Sequence, residues 1–320
     1  MEVDILVEFA GPPQDYVGYG ASPPVVYWPE QARLALNVVV NYEEGSERSF
    51  AHGDSTVESL LEFPSAVPPT MRDLGAESIH EYGSRAGIWR LIRLFDELGI
   101  KTTFFASAVA LETNPEVGAA IMSGGHEACF HGWRWEQAWN FSYQEEYDHV
   151  NRSLEIFERV AGERPYGCYW RYAPSVNSRE ILVKLGFIYD ANAYNDDLPY
   201  RVAVNDKSIL VVPYSLTYND GKFVAATGQG YGSPSDFVDY CCRAIDELYR
   251  EGENGSPKMM SIGLHPRWMG QAGRTSALRE VLEYAKDKRG VWIARRIDIA
   301  RWWIEHELEF VKTAKAAVQE

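Results

Sequence analysis

No stretch of the 320-residue chain approaches the roughly 20 consecutive apolar residues that cross a bilayer as a helix. The N-terminus, MEVDILVEFAGPP, carries Glu2 and Asp4 where a secretory leader would carry basic residues. These absences argue against a membrane partner and for a cytoplasmic protein. Cysteine is scarce. Cys129, Cys168 and the adjacent Cys241 and Cys242 have no CxxC spacing of the kind used by zinc or redox sites, so they read as buried free thiols. Positive charge is in deficit, with 31 Lys and Arg against 46 Asp and Glu and a net charge of −15, the wrong sign for a phosphate-backbone ligand. No nucleic-acid partner is expected, and the excess acid reads as a solvated surface. Repeats of 20 to 50 residues and low-complexity segments are also absent.

What is present is enough apolar residue, 46%, to fill one large core. Residues 1–30 hold five prolines and several aromatics without periodicity, which suggests an ordered arm laid over a single domain of residues 31–320 that ends in an amphipathic helix. From ARLALNVVVNYEEG onward, β-branched runs alternate with helical patterns. Ile88, Leu91, Ile92, Phe95 and Leu98 fall at helix spacing before Gly99, and IKTTFFAS, HEACFHG, FIYDANA, ILVVPYS, MMSIGLH and VWIARR read as strands. Ser142 and Glu145 form a capping box. Residues 50–78, with three prolines between 64 and 69, read as a long excursion that could wall a pocket. Such alternation predicts an α/β fold with parallel strands, a distorted or incomplete (β/α) barrel, whose chemistry sits at the carboxyl ends of the strands.

The polar residues follow that rule. Glu43 and Glu44, His126 and His131, Arg171, Asp190 to Asp197, and His265 with Arg267 each lie by the end of an expected strand. Side chains alternate along a strand, so only one of Glu43 and Glu44 can face the interior. His126 has even claims to a structural and a functional part. Within CFHGWRWEQ, a metal reading of His131 would want a second ligand about four residues on, and position 135 is tryptophan.

NYEEG, YGSRAGIWRLIRLFDELGIKTTFF, GHEACFHGWRW, LGFIYDANAYNDDLPY, VVPYSLTYND and LHPRWMGQAGR resemble, in this order, motifs of the polysaccharide-deacetylase-like superfamily with its NodB-type barrel. They resemble most its branch of metal-independent allantoinases and cyclic-amide hydrolases. In the superfamily's metal-dependent deacetylases, one strand end offers two aspartates, a base and a metal ligand, and the next motif offers two histidines four apart. Here the acids are Glu43 and Glu44, and Trp135 stands for the second histidine.

The resemblance therefore implies hydrolysis of a small ring C–N bond, with allantoin to allantoate as the specific expectation. Glu43, Glu44, His131 and His265 are the expected catalytic set; Trp133, Trp135, Arg171, Asp196, Asp197 and Arg267 are the expected substrate contacts. Asp196 and Asp197 have a competing use as caps of the loop before Pro199. No cofactor is expected; an ion, if held, would sit on Glu44 and His131. The alternatives are a metal-dependent N-deacetylase of carbohydrate or peptidoglycan, and a non-enzymatic binding protein on a decayed barrel. GCYWRYAPSVNSRE departs from the allantoinase pattern after the fourth strand, which weighs on the ring's identity more than on the reaction class. A homo-oligomer is expected from the aromatics of the arm and of the Trp302 and Trp303 helix, a tetramer by resemblance.

Overall fold

A computed structural model of the chain describes residues 11–58, 62, 65–224 and 230–317, the last seven without side chains. Residues 1–10 of the expected arm and parts of the 50–78 excursion lie outside the described residues. The sheet runs β6-β7-β5-β4-β3-β2-β1-β8, with β9 (Val291–Ile293) pairing the first residues of β1 (Leu34–Tyr42). The others are β2 (Thr103–Ala106), β3 (Glu127–Phe130), β4 (Gly167–Cys168), β5 (Tyr189–Asp190), β6 (Tyr200–Val204), β7 (Lys207–Val211) and β8 (Lys258–Leu264). All pairings are parallel except the β6–β7 hairpin, which the helix–strand alternation did not suggest. The sheet curls without closing. Across the gap, the Met259 N–H donates to the Asp197 carbonyl (2.9 Å) and the Gly263 N–H to the Tyr218 carbonyl (3.1 Å).

The period-2 geometry of β1 sorts its residues by side. Leu34, Leu36, Val38, Val40 and Tyr42 pack outward under the helices, whereas Ala35 and Val39 join Phe105, Tyr169, Tyr189 and Tyr214 inside the curl. Asn37, Asn41 and Glu43 share the parity of Ala35 and Val39, so the polar residues of the strand face the interior. At the amino end, buried Arg296 fills the curl and donates to Asn37 Oδ1, Ser261 Oγ and the Val212 carbonyl. The carboxyl end is left to the pocket.

Two features differ from expectation. The helical region begins earlier, at α1 (Leu74–Tyr82), whose start is capped by the Asp73 carboxylate; its polar face hides the periodicity. Part of the aromatic surface that motivated a homo-oligomer is covered within the chain, although Tyr16 of the arm stays exposed. Trp28 packs on Trp292 and Trp303, and Tyr27 packs on Trp302, His306 and Phe310 of the C-terminal helix.

Between α1 and α2 (Ile88–Leu98) a single π-helical turn, Gly83–Gly87, brings backbone against the rim of the curl. A Cβ on Gly87 would lie 2.1 Å from the Pro266 carbonyl oxygen. Helix propensity alone says that Gly87→Ala stabilises, by up to about 1 kcal/mol. The clash is with backbone and should win, costing about 1–3 kcal/mol, as overpacking does. Thermal unfolding of G87A should show a lowered Tm together with reduced turnover, since Pro266 separates His265 from Arg267; an unchanged or higher Tm would contradict this packing.

Candidate active site

The interior parity of β1 delivers Glu43 to the carboxyl rim and turns Glu44 the other way. His131 follows β3, Arg171 follows β4, and His265 follows β8 as the N-cap of a single helical turn, Pro266–Met269. Glu43, His131, Trp135, Tyr169, Arg171 and His265 line a cavity of about 230 Å³, together with Asn41, Tyr172, Leu216, Asn219, Gly221, Lys222 and Trp268. Leu216 and Tyr172 are exposed at its mouth.

Glu43 is the hub. Its Oε1 lies 3.1 Å from His131 Nε2 and 3.5 Å from His265 Nε2, and its Oε2 lies 2.8 Å from Arg267 Nη2. The guanidinium approach is out of line with the N–H bonds, so Glu43 Oε2 and Arg267 Nη2 make an ion contact without a hydrogen bond. Burial works against ionisation of Glu43, but Arg267 and His265, with the hydrogen bond to His131, hold it well below the usual carboxylate range.

His131 donates through Nδ1 to the Tyr169 carbonyl at 2.5 Å, which leaves Nε2 toward Glu43. His265 is anchored from behind by Asp220. One carboxylate oxygen accepts the His265 backbone N–H (2.7 Å), and the other accepts Nδ1–H (2.6 Å). Burial disfavours the charged ring, yet Asp220 and Glu43 outweigh it and push His265 up to about 9. It is therefore an imidazolium at neutral pH.

Glu44 is buried behind the pocket. It accepts from the Glu43 and Arg267 backbone N–H groups and stands 3.4 Å from Arg267 Nη1. Burial pushes it to about 7, against the pull of Arg267 and with the neighbouring Glu43 charge adding to the rise. Gly83 makes room for it, since a Cβ there would fall 2.4 Å from Glu44 Oε1.

Several expected site residues are placed elsewhere. Arg267 is fully buried and does not line the pocket; it spans Glu43 and Glu44 instead of facing substrate. Trp133 packs on His149 and under Arg152, outside the pocket lining. Asp196 caps Leu198, and the Asp197 carbonyl helps to bridge the gap to β8, so neither reaches the cavity. His126, before β3, accepts from the Thr102 N–H and packs on Phe95 and Phe104; burial, with Lys101, pushes it to about 4. Arg171 does line the pocket, but its charge is already matched. Glu58 binds it through two bonds of 2.7 and 3.1 Å, and its guanidinium lies 3.6 Å from the Trp135 ring centre. The 50–78 excursion thus braces a pocket residue through Glu58, but none of its described residues lines the cavity itself.

Asp220, Glu58, Tyr169 and Trp268 were missed. Asp220 was within reach: it follows β7 in VVPYSLTYND, and the rule that strand ends carry the chemistry applies to that strand too. Glu58 lies in a segment with no periodic signal.

The family's deacetylases are implied to use a divalent ion, and the residues here do not fit one. Glu44 and His131, the expected pair of ligands, do not share a face; a guanidinium stands beside both carboxylates, and Trp135 supplies no donor. Among the described residues, no group of three or more His, Cys, Asp or Glu is arranged to hold a metal.

Residues 79–189 match the family model for polysaccharide deacetylase. A Schizosaccharomyces pombe protein carrying a polysaccharide-deacetylase name is 37% identical over 296 residues, 86% of this chain and 92% of its own length. The chain belongs to the polysaccharide deacetylase family. Its curled, incompletely closed barrel is that family's fold, and the chain is a hydrolase of the family by descent. Two solved structures are similar over 92% of this chain and 98% of their own, both at a TM-score of 0.86. One, from Pseudomonas aeruginosa PAO1, carries a polysaccharide-deacetylase name and is 42% identical. The other is the Puue allantoinase, 43% identical. Family membership therefore fixes the fold and the hydrolytic class, while the two neighbours carry different substrate names.

Proposed function

We propose that this chain opens a small cyclic amide or ureide by hydrolysis, with allantoin to allantoate as the specific reaction, using side-chain acids and bases and no divalent metal. The observation that carries the reading is the opposition on one carboxylate oxygen. Glu43, held ionised, lies within 3.5 Å of His265, held protonated, at the floor of a small aromatic pocket. A water on Glu43 Oε1 would lose its proton to Glu43 as its oxygen bonds the ring carbonyl carbon. As the tetrahedral centre collapses and the C–N bond breaks, His265 gives its Nε2 proton to the leaving nitrogen. Glu43 then returns its proton to His265 across the same 3.5 Å gap, and the enzyme is reset. His131, fixed by the Tyr169 carbonyl, orients Glu43.

The pocket supports a small, flat, neutral substrate. Its volume falls below the roughly 300–1,000 Å³ typical of sites for drug-sized ligands, and far below an open groove for a sugar chain. Trp135, Trp268 and Tyr169 supply flat walls. Because Glu58 already neutralises Arg171, the pocket favours a neutral carbonyl over a carboxylate.

The deciding experiment gives purified enzyme a panel of hydantoin-type ureides, allantoin among them, alongside N-acetylglucosamine oligomers and peptidoglycan fragments. Each is assayed before and after exhaustive dialysis against a chelator. Ring opening should proceed at the same rate in both preparations. Acetate release from the glycans that requires an added divalent ion would replace this reading with the N-deacetylase one.

A further inference from the structure

Arg267 is a charged group near the pocket whose surroundings do not explain it as a substrate contact. It is fully buried, its Nη2 is 2.8 Å from Glu43 Oε2, and its Nη1 is 3.4 Å from Glu44 Oε1. Its guanidinium carbon lies 4.3 Å from the Trp268 ring centre and 5.1 Å from that of Trp135, so two indoles flank what the two carboxylates do not cover. Trp135 occupies the place of the second histidine expected four residues after His131. The missing ligand and the buried cation thus meet at one ring.

We propose that Arg267 is a built-in cation in the place of a bound divalent ion, a positioning residue that fixes Glu43 against His131 and His265, and that Trp135 and Arg267 are a coupled exchange for a metal and its ligand. The inference rests on the metal-independent reading above. An ion pair made inside the chain needs no uptake from solution, and a guanidinium stays charged under all working conditions. The fork also reaches both carboxylates at once, a geometry that an ammonium does not reproduce. With a permanent cation 2.8 Å from Glu43, a second cation on the same carboxylate is repelled at close range in a buried setting.

Two arms test this. In the first, zinc binding is measured by competition with a chromogenic chelator for wild type, W135H and the W135H/R267M double variant. Wild type and W135H should bind weakly, and the double variant should bind at least roughly tenfold tighter than W135H. If W135H alone binds as tightly as the double, Arg267 is not occupying the ion's place and the proposal falls. In the second arm, R267K and R267M are compared kinetically. R267M should lose roughly 10²-fold or more in kcat with little change in KM, because Arg267 does not line the pocket, and R267K should recover part of that loss. Equal damage in both, or damage confined to KM, would overturn it. Should R267M fail to fold, W135H and R267K still decide. The zinc arm needs no substrate, so an error in the substrate class leaves it intact, and chelator-sensitive wild-type activity would fail the earlier reading first.

Discussion

Replacing His265 by asparagine should lower kcat by roughly 10²- to 10⁴-fold, the range supplied by a general acid or base. Asparagine keeps a nitrogen near the position of Nδ1 and so preserves the bond to Asp220, while it removes the Nε2 proton that faces Glu43. The sign of the pH dependence follows from the charge state. The acid is the imidazolium, whose ionisation burial opposes and Asp220 with Glu43 raise to about 9, so wild-type activity should hold through neutral pH and fall as pH rises past that value. H265N should lack that alkaline limb. D220N should move the limb downward, toward the ordinary histidine range near 6.5, with little change in KM, because Asp220 touches the ring and not the pocket. His265 is buried, and its loss to alanine strands a fully buried aspartate, so H265A should unfold earlier as well as turn over more slowly. An H265N enzyme with wild-type kcat, or one whose alkaline limb persists, would remove His265 from the chemistry.

The acid–base core was legible because it rests on short-range rules. Strand ends in a (β/α) barrel carry chemistry, and side chains alternate along a strand; these two statements bring one of Glu43 and Glu44 together with His131 and His265 from the sequence alone. The same parity argument says that one of Glu43 and Glu44 faces away, though sequence leaves open which; Asn37 and Asn41, inward on β1, settle it for Glu43. What was not legible depends on long-range packing. Arg267 stands two residues after His265, and a strand-like reading sends both to the same side. The chain instead enters a helical turn at Pro266, which swings Arg267 behind Glu43. The partner of Arg171, Glu58, is 113 positions away in a segment without periodicity. The β6–β7 hairpin was hidden because YRVAV alternates half-buried with exposed residues at an edge and lacks the continuous apolar run of the buried strands. Asp196 and Asp197 looked functional by their neighbourhood, yet Asp196 takes the capping use of aspartate in such loops and Asp197 meets Met259 through its backbone carbonyl.

Glu43 and Glu44 are adjacent, both buried and both beside Arg267, and their glutamine variants should nonetheless behave in opposite ways. E43Q removes the carboxylate that takes the proton from water and leaves Arg267 and His265 without their shared counter-charge. Turnover should fall by roughly 10²- to 10⁴-fold, the part owed to the base. Breaking one partner out of a buried ion pair costs about 3–5 kcal/mol, so Tm should drop too. E43D keeps the charge but withdraws the oxygen by one methylene, and a displacement of about 1 Å can itself cost on the order of 10²-fold. For E44Q the expectation is mild. Burial already pushes Glu44 up to about 7, so at and below that pH much of its population is uncharged, and an amide mimics that form. The variant loses about one of the two backbone hydrogen bonds, near 1 kcal/mol, and should retain kcat within a few-fold. The measurement is kcat and Tm for the three variants at pH 6 and pH 8. If E44Q is as inactive as E43Q, Glu44 takes part in proton transfer, and the base can no longer be assigned to Glu43 alone; if E43Q keeps most of its turnover, the shared oxygen between His131 and His265 is not where water is activated.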